Sequence, residues 1–143
     1  MFRTRENTPG VTDLIAGQLD MYFMTPSNIM PHVKTGKVKL LASTGTGPSP
    51  VIDVDTPLVS SSVPGFEISS WLGLMGPAGM PRQDVERLNK VINDAMRRPE
   101  VQAQMLAAGL VPITVTPDQF RTRIGNELKR WDSVAKGAHI QID

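Results

Sequence analysis

At 143 residues with 40% apolar side chains, the chain is long enough to bury one core and too apolar for a disordered segment. The 15 Lys and Arg against 14 Asp and Glu leave a net charge of +1 with the basic residues scattered, so nucleic acid is not the expected partner. Cysteine is absent, which excludes a disulfide framework, a thiolate metal site and a cysteine nucleophile, and no apolar run approaches the roughly 18 to 20 residues that a membrane span needs.

In chain order, Met1 to Asn7 is polar and basic with no apolar stretch behind it and does not read as a secretion signal. Val11 to Ala16 reads as a short helix that Gly17 can stop, and Leu19 to Met24 as an apolar strand. Ser27 is then in place to cap a second short helix closed by Gly36, and Lys37 to Ser43 alternates as another strand. A strand–helix–strand unit of this kind normally gives parallel neighbours. Thr44 to Gly65, rich in Pro and Ser, reads as a long surface excursion.

The second half changes character. "FEISSWLGLM", Phe66 to Met75, reads as a strand with Phe66, Ile68 and Ser70 on one face and Glu67, Ser69 and Trp71 on the other. Val85, Leu88, Ile92 and Ala95 fall at helical spacing, and Pro99 restarts a helix that Gly109 ends. A short strand, Val111 to Val115, precedes "TPDQ", in which Thr116 is an N-cap, Pro117 occupies the first helical position and Gln119 can reach back. Phe120, Ile124, Leu128, Trp131 and Ala135 then form the stripe expected of a long helix lying on a sheet, with Trp131 in the packed face and Ile140 to Ile142 as a last strand. The fold class expected is α/β.

In open α/β sheets ligands bind beyond the carboxyl ends of strands, where helix N-termini offer amide donors. The stretch "MYFMTPSNIMP" has that order. The hydroxyls of Thr25 and Ser27, with the N–H groups of Asn28 and Ile29 behind them, could converge on a carboxylate, and Ser27 could equally be only a helix cap. Trp71 either stacks on a ligand or packs internally.

Other candidates carry less. "STGTG" lacks the Lys of a phosphate loop and runs into Pro48, Asp53 and Asp55 read as solvated loop residues, and His32 and His139 stand too far apart in sequence to suggest zinc. No G-x-S-x-G elbow exists, so no catalytic residues, metal or cofactor are expected.

Taken in order, "TDLIAGQLDMYF", "PHVKTGKVKLLAST", "PGFEISSWLGLMGPAGMP" and "TPDQF" followed by a helix with a late Trp resemble the substrate-binding receptors of tripartite tricarboxylate transporters, the Bug or TctC-like family. The resemblance runs from about Pro9 to Asp143 and covers approximately the C-terminal half of such a receptor. It implies a partial type II periplasmic-binding-protein fold: 1–65 as part of the second lobe, 66–75 as a crossover strand, and 76–143 as the C-terminal part of the first lobe. It further implies capture of a small organic carboxylate without catalysis, bordered by Met24, Thr25, Pro26, Ser27, Asn28, Ser69 and Trp71, and transfer to membrane transporter subunits. Family members often carry a polar residue where this chain has Met24. The implied compartment is the periplasm, or the cytoplasm if Met1 is a true start. The alternative reading is a truncated homologue that serves as an oligomerising or interaction module, and a homo-oligomer is expected from unpaired strands.

Overall fold

The structure, a computed structural model, describes residues 8–138 and Ile140. Five α-helices form among these residues: α1 (Thr8–Ile15), α2 (Pro26–Lys34), α3 (Arg82–Met96), α4 (Pro99–Ala107) and α5 (Pro117–Gly137), with one 3-10 turn at Val59–Ser61. Local chemistry explains their ends. Thr116 and Gln119 exchange the two bonds of a capping box, Gln119 N–H donating to Thr116 Oγ1 at 3.2 Å and Thr116 N–H to Gln119 Oε1 at 2.8 Å. Gly17 and Gly36 follow α1 and α2 in the left-handed conformation, as the sequence pattern anticipates.

Two compact units divide the chain. The first comprises residues 1–73 and 102–112, the second 74–101 and 113–143. In the first, the only strand-like pairing among the described residues is a single parallel bridge between Ser43 and Leu58, held by Ser43 N–H on Pro57 O at 2.8 Å and Val59 N–H on Ser43 O at 2.9 Å. Thr44 extends the stitch: its Oγ1 donates to Ile68 O at 2.7 Å and its carbonyl accepts from Ile68 N–H at 3.0 Å. These bonds close the excursion from Thr44 to Gly65 into a loop with defined ends. Elsewhere in this unit the Tyr22 ring lies against α1 at Gly10, where a Cβ would meet it at 2.7 Å.

In the second unit α3 packs on α5. Asn89 and Asn93, one turn apart on α3, both donate through Nδ2 to the Val115 carbonyl, at 2.9 and 3.0 Å. Their bonds fasten the residue immediately before the N-cap of α5, so the start of that helix is tied to α3 through backbone as well as side chains.

The expected strands are corrected by the structure. Residues 19–24, 37–43, 66–75 and 111–115 form no ladder among the described residues, and the last expected strand, 140–142, lies mostly outside them. The physical reason is that a strand exists only by pairing: apolar alternation prepares a segment for a ladder but cannot provide the neighbour. The α/β expectation therefore holds for the helices and fails for the sheet. The expected burial of α5 is corrected as well. Phe120 and Ile124 are half-buried, but Leu128 is exposed and Trp131 is 47% exposed, with its indole N–H donating to Glu127 at 3.0 Å. With no sheet under the second half of α5, its stripe has nothing to cover it. Among the described residues only Val11 is fully buried.

Candidate functional site

The junction between Met24 and α2 belongs to the first unit and carries the hydroxyls singled out in the sequence. Thr25, not Ser27, is the N-cap of α2, with extended dihedrals (φ −73°, ψ 146°), because Pro26 has the fixed φ suited to the first helical position and sets the boundary one residue earlier. The Thr25 side chain does not cap the helix backbone. It pairs instead with Ser27, Oγ1 to Oγ at 3.1 Å, so two half-buried hydroxyls stand together at the helix start.

The expected pair of free amides is corrected. Asn28 N–H and Ile29 N–H both donate to the Thr25 carbonyl, at 3.1 and 3.3 Å, as the first turn of the helix closes on itself. The donor left over is Ser27 N–H, which meets no acceptor among the described residues. Pro31, four residues further on, has no N–H to give the Ser27 carbonyl, so Ser27 lacks helical partners on both sides. Gly109 accounts for the position of this turn. Its backbone takes φ +75° and lies so near the start of α2 that an added Cβ would stand 2.7 Å from both Cα and N of Ser27.

Met24, Thr25, Pro26 and Ser27 are half-buried and Asn28 is exposed, a graded mouth with its hydroxyls inside and its amide side chain outside. Among the expected bordering residues, Trp71 is half-buried and Ser69 exposed. The structure brings the Thr25 and Ser27 side chains together by a hydrogen bond; Ser69 makes no hydrogen bond among the described residues. The helix N-terminus places positive potential at the two hydroxyls and the Ser27 amide, an arrangement able to accept an anion's oxygens.

Two further concavities flank the excursion in the same unit. One, of about 130 Å³, is lined by Ser43, Gly47, Ser49, Ile52, Asp53 and Leu58. The other, an open groove of about 830 Å³, runs past Met30, Lys34, Lys37, Lys39, Asp53 and Asp55. Asp53 Oδ1 accepts from Asp55 N–H at 3.2 Å, a local turn bond that accounts for this pair. In "STGTG", Gly45 N–H turns inward to Ser43 Oγ at 3.3 Å and no helix starts behind it, so the loop lacks the donor array of a phosphate cradle. His32 lies in the last turn of α2, and His139 is outside the described residues. Among the described residues no three His, Asp or Glu side chains gather where a metal ion could be held. The paired asparagines of α3 and the approach of Gly109 to Ser27 are the two features that sequence reasoning missed.

Comparison with known proteins agrees with the resemblance read from the motifs. The chain is 30% identical over 131 residues to a UPF0065 protein from the tcbD–tcbE intergenic region of Pseudomonas sp. strain P51, covering 91% of this chain and 39% of that protein. It is 32% identical over 126 residues to a UPF0065 protein from the clcB–clcD intergenic region of Pseudomonas knackmussii, covering 87% of this chain and 75% of that protein. Among solved structures, R. palustris Rpa4515 with adipate superposes with a TM-score of 0.82 at 25% identity, covering 92% of this chain and 44% of that one. The chain thus spans about two-fifths of the length of the strain P51 relative and of the solved neighbour. The family described as tripartite tricarboxylate transporter family receptor, TctC, matches residues 3–140, and the chain belongs to that family.

Proposed function

We propose that this chain is the part of an extracytoplasmic solute-binding receptor that grips one carboxylate group of a small organic acid, in a receptor that hands its ligand to the membrane subunits of a tripartite tricarboxylate-type transporter. The observation that carries the reading is the pairing of the Thr25 and Ser27 hydroxyls beside the unsatisfied Ser27 N–H at the start of α2. Three donors at a helix N-terminus match the two oxygens of a carboxylate, and charge-assisted bonds there are about twice as strong as neutral ones. Ser69 and Trp71 border the ligand, Asn28 closes the outer edge, and Met24 supplies an apolar wall. Nothing in this arrangement provides a nucleophile with a base, so the role is capture without reaction. On this reading residues 1–65 belong to the second lobe, 66–75 to the crossover, and 76–143 to the first lobe of a periplasmic receptor.

The solved neighbour was obtained with adipate, a six-carbon diacid, which supports an organic carboxylate as the ligand class. The test is calorimetric titration of acetate, adipate and citrate into the chain combined with the remainder of a receptor fold. Saturable binding of at least one carboxylate, lost on removal of the Ser27 and Thr25 hydroxyls, is expected. Failure of all three acids to bind would overturn the reading.

A further inference from the structure

The segments that alternate like strands but pair with nothing share a second property: their apolar side chains face water. Phe23 is 66% exposed, Leu72 86%, Leu74 73% and Ile113 61%. Their backbones are equally unoccupied. Residues 19–24, 38–42, 72–75 and 111–114 make no backbone hydrogen bond among the described residues. Open edges and apolar side chains in the same segments are the two halves of a β-pairing surface, since ladder bonds supply affinity and alternate side chains supply specificity.

The amount of surface left open indicates what size of partner it fits. The chain exposes 11664 Å², whereas a folded monomer of 15.6 kDa exposes about 7,300 Å² by the usual mass scaling. The excess, about 4,400 Å², far exceeds the roughly 800 Å² that each partner buries in a standard interface. A glancing contact between two copies is too small to cover it. The conformation points the same way: 92% of this chain superposes on 44% of the solved receptor with a TM-score of 0.82, so the helices already hold the positions they take in a fold that contains more than twice as much polypeptide.

We propose that residues 19–24, 37–43, 66–75 and 111–115 form a docking surface for the strands of a complementary receptor polypeptide, equivalent to the part of the Rpa4515 fold that this chain does not match. The inference rests on family membership and on open backbone, and is independent of whether Thr25 and Ser27 bind a carboxylate. The partner's chemistry is that of extended, apolar-alternating strands that present free N–H and C=O groups along one edge.

The experiment mixes the 1–143 chain with the separately produced complementary portion of R. palustris Rpa4515, measuring mass by light scattering and amide hydrogen exchange segment by segment. The expected result is a 1:1 complex in which amides of 19–24, 38–42, 72–75 and 111–114 slow by on the order of 100-fold. Substituting Leu72→Asp with Leu74→Asp should abolish the complex while amides of α3 and α5 keep their protection, which separates lost docking from lost folding. The absence of a complex would overturn the proposal. So would protection of the four segments in the isolated chain, whether it is monomeric or, by covering them with a second copy, of twice the mass.

Discussion

Gly109 and Ser27, far apart in sequence, lie back to back: a Cβ on Gly109 would stand 2.7 Å from both the Cα and the N of Ser27. This contact fixes where α2 begins, and with it the two hydroxyls and the free amide of the candidate carboxylate site. Gly109 also ends α4, its N–H donating to Leu106 O at 3.0 Å with φ +75°. One residue thus stops one helix and seats the start of another.

Gly109→Ala tests the arrangement. The left-handed conformation costs a non-glycine residue about 1 to 2 kcal/mol, and the new methyl group meets backbone, which cannot swing away as a side chain would. A loss of about 2 kcal/mol or more in denaturant-unfolding free energy is expected, together with changed amide shifts at Ser27 and Asn28. Unchanged stability would show that the turn relaxes freely and that the close approach is incidental.

The paired asparagines give a second expectation. Asn89 and Asn93 share the Val115 carbonyl, and Asn93 Nδ2 also donates to Asn89 Oδ1 at 3.1 Å, so either residue alone still leaves the acceptor occupied. Single substitutions to Ala should each cost about 1 kcal/mol or less, and the double substitution more than the sum, because only then is a half-buried carbonyl left without a partner. Thermal unfolding of the two single variants and the double variant measures this directly. Strict additivity would mean that water replaces the asparagines without cost.

How much was legible in the sequence follows from where each signal resides. The capping box at Thr116 and Gln119, the stops at Gly17 and Gly36, and the restart at Pro99 depend on residues within one turn of each other, and the structure shows all of them. The strands could not be read to the same depth, because a ladder depends on a second segment that alternation does not specify. The N-cap of α2 was read two residues late, at Ser27, because the hydroxyl was weighed above the conformational preference of Pro26. Asn89 and Asn93 look like an ordinary solvated helix face until Val115 is placed beneath them. Of the candidate site, the hydroxyl pair was legible from its position after an apolar run, but its backing by Gly109 was not, since that contact joins distant parts of the chain.

Acid should loosen α3 at its C-terminal end. Asp94 accepts from Lys90 Nζ at 2.6 Å, and this bond, with Arg97 at 3.2 Å adding to it, holds the carboxyl below its ordinary value of 3.8. A folded-state pKa below that of the unfolded chain means that the stabilisation is fully present above about pH 3.8 and is lost as pH falls through the lower folded value. Carboxyl chemical shifts followed by NMR should give a midpoint for Asp94 under 3.8, and Lys90→Ala should raise it. The pair is exposed, so salt should weaken the effect. A midpoint at or above 3.8 in the native chain would show that the bond does not persist in solution.

The start of α2 gives the sharpest expectation. If the Thr25 and Ser27 hydroxyls and the Ser27 amide hold a carboxylate, Ser27→Ala removes one donor and breaks the 3.1 Å hydroxyl pair, and Thr25→Val removes the other at nearly constant volume. Each charge-assisted contact is worth about 1.5 to 3 kcal/mol, so each substitution should weaken binding roughly tenfold or more. Met24 adds a selectivity: an apolar wall beside the donors leaves a second or third carboxylate nearby unsatisfied, which favours a monocarboxylate or a long diacid such as adipate over citrate. Met24→Asn should narrow that preference by supplying a donor where the wall stood. Titrations of acetate, adipate and citrate into the native assembly and the three variants decide the matter. Equal affinities for native, Ser27→Ala and Thr25→Val would show that the hydroxyl pair is only part of a helix start, whereas a selective loss of adipate binding would locate the carboxylate at these two side chains.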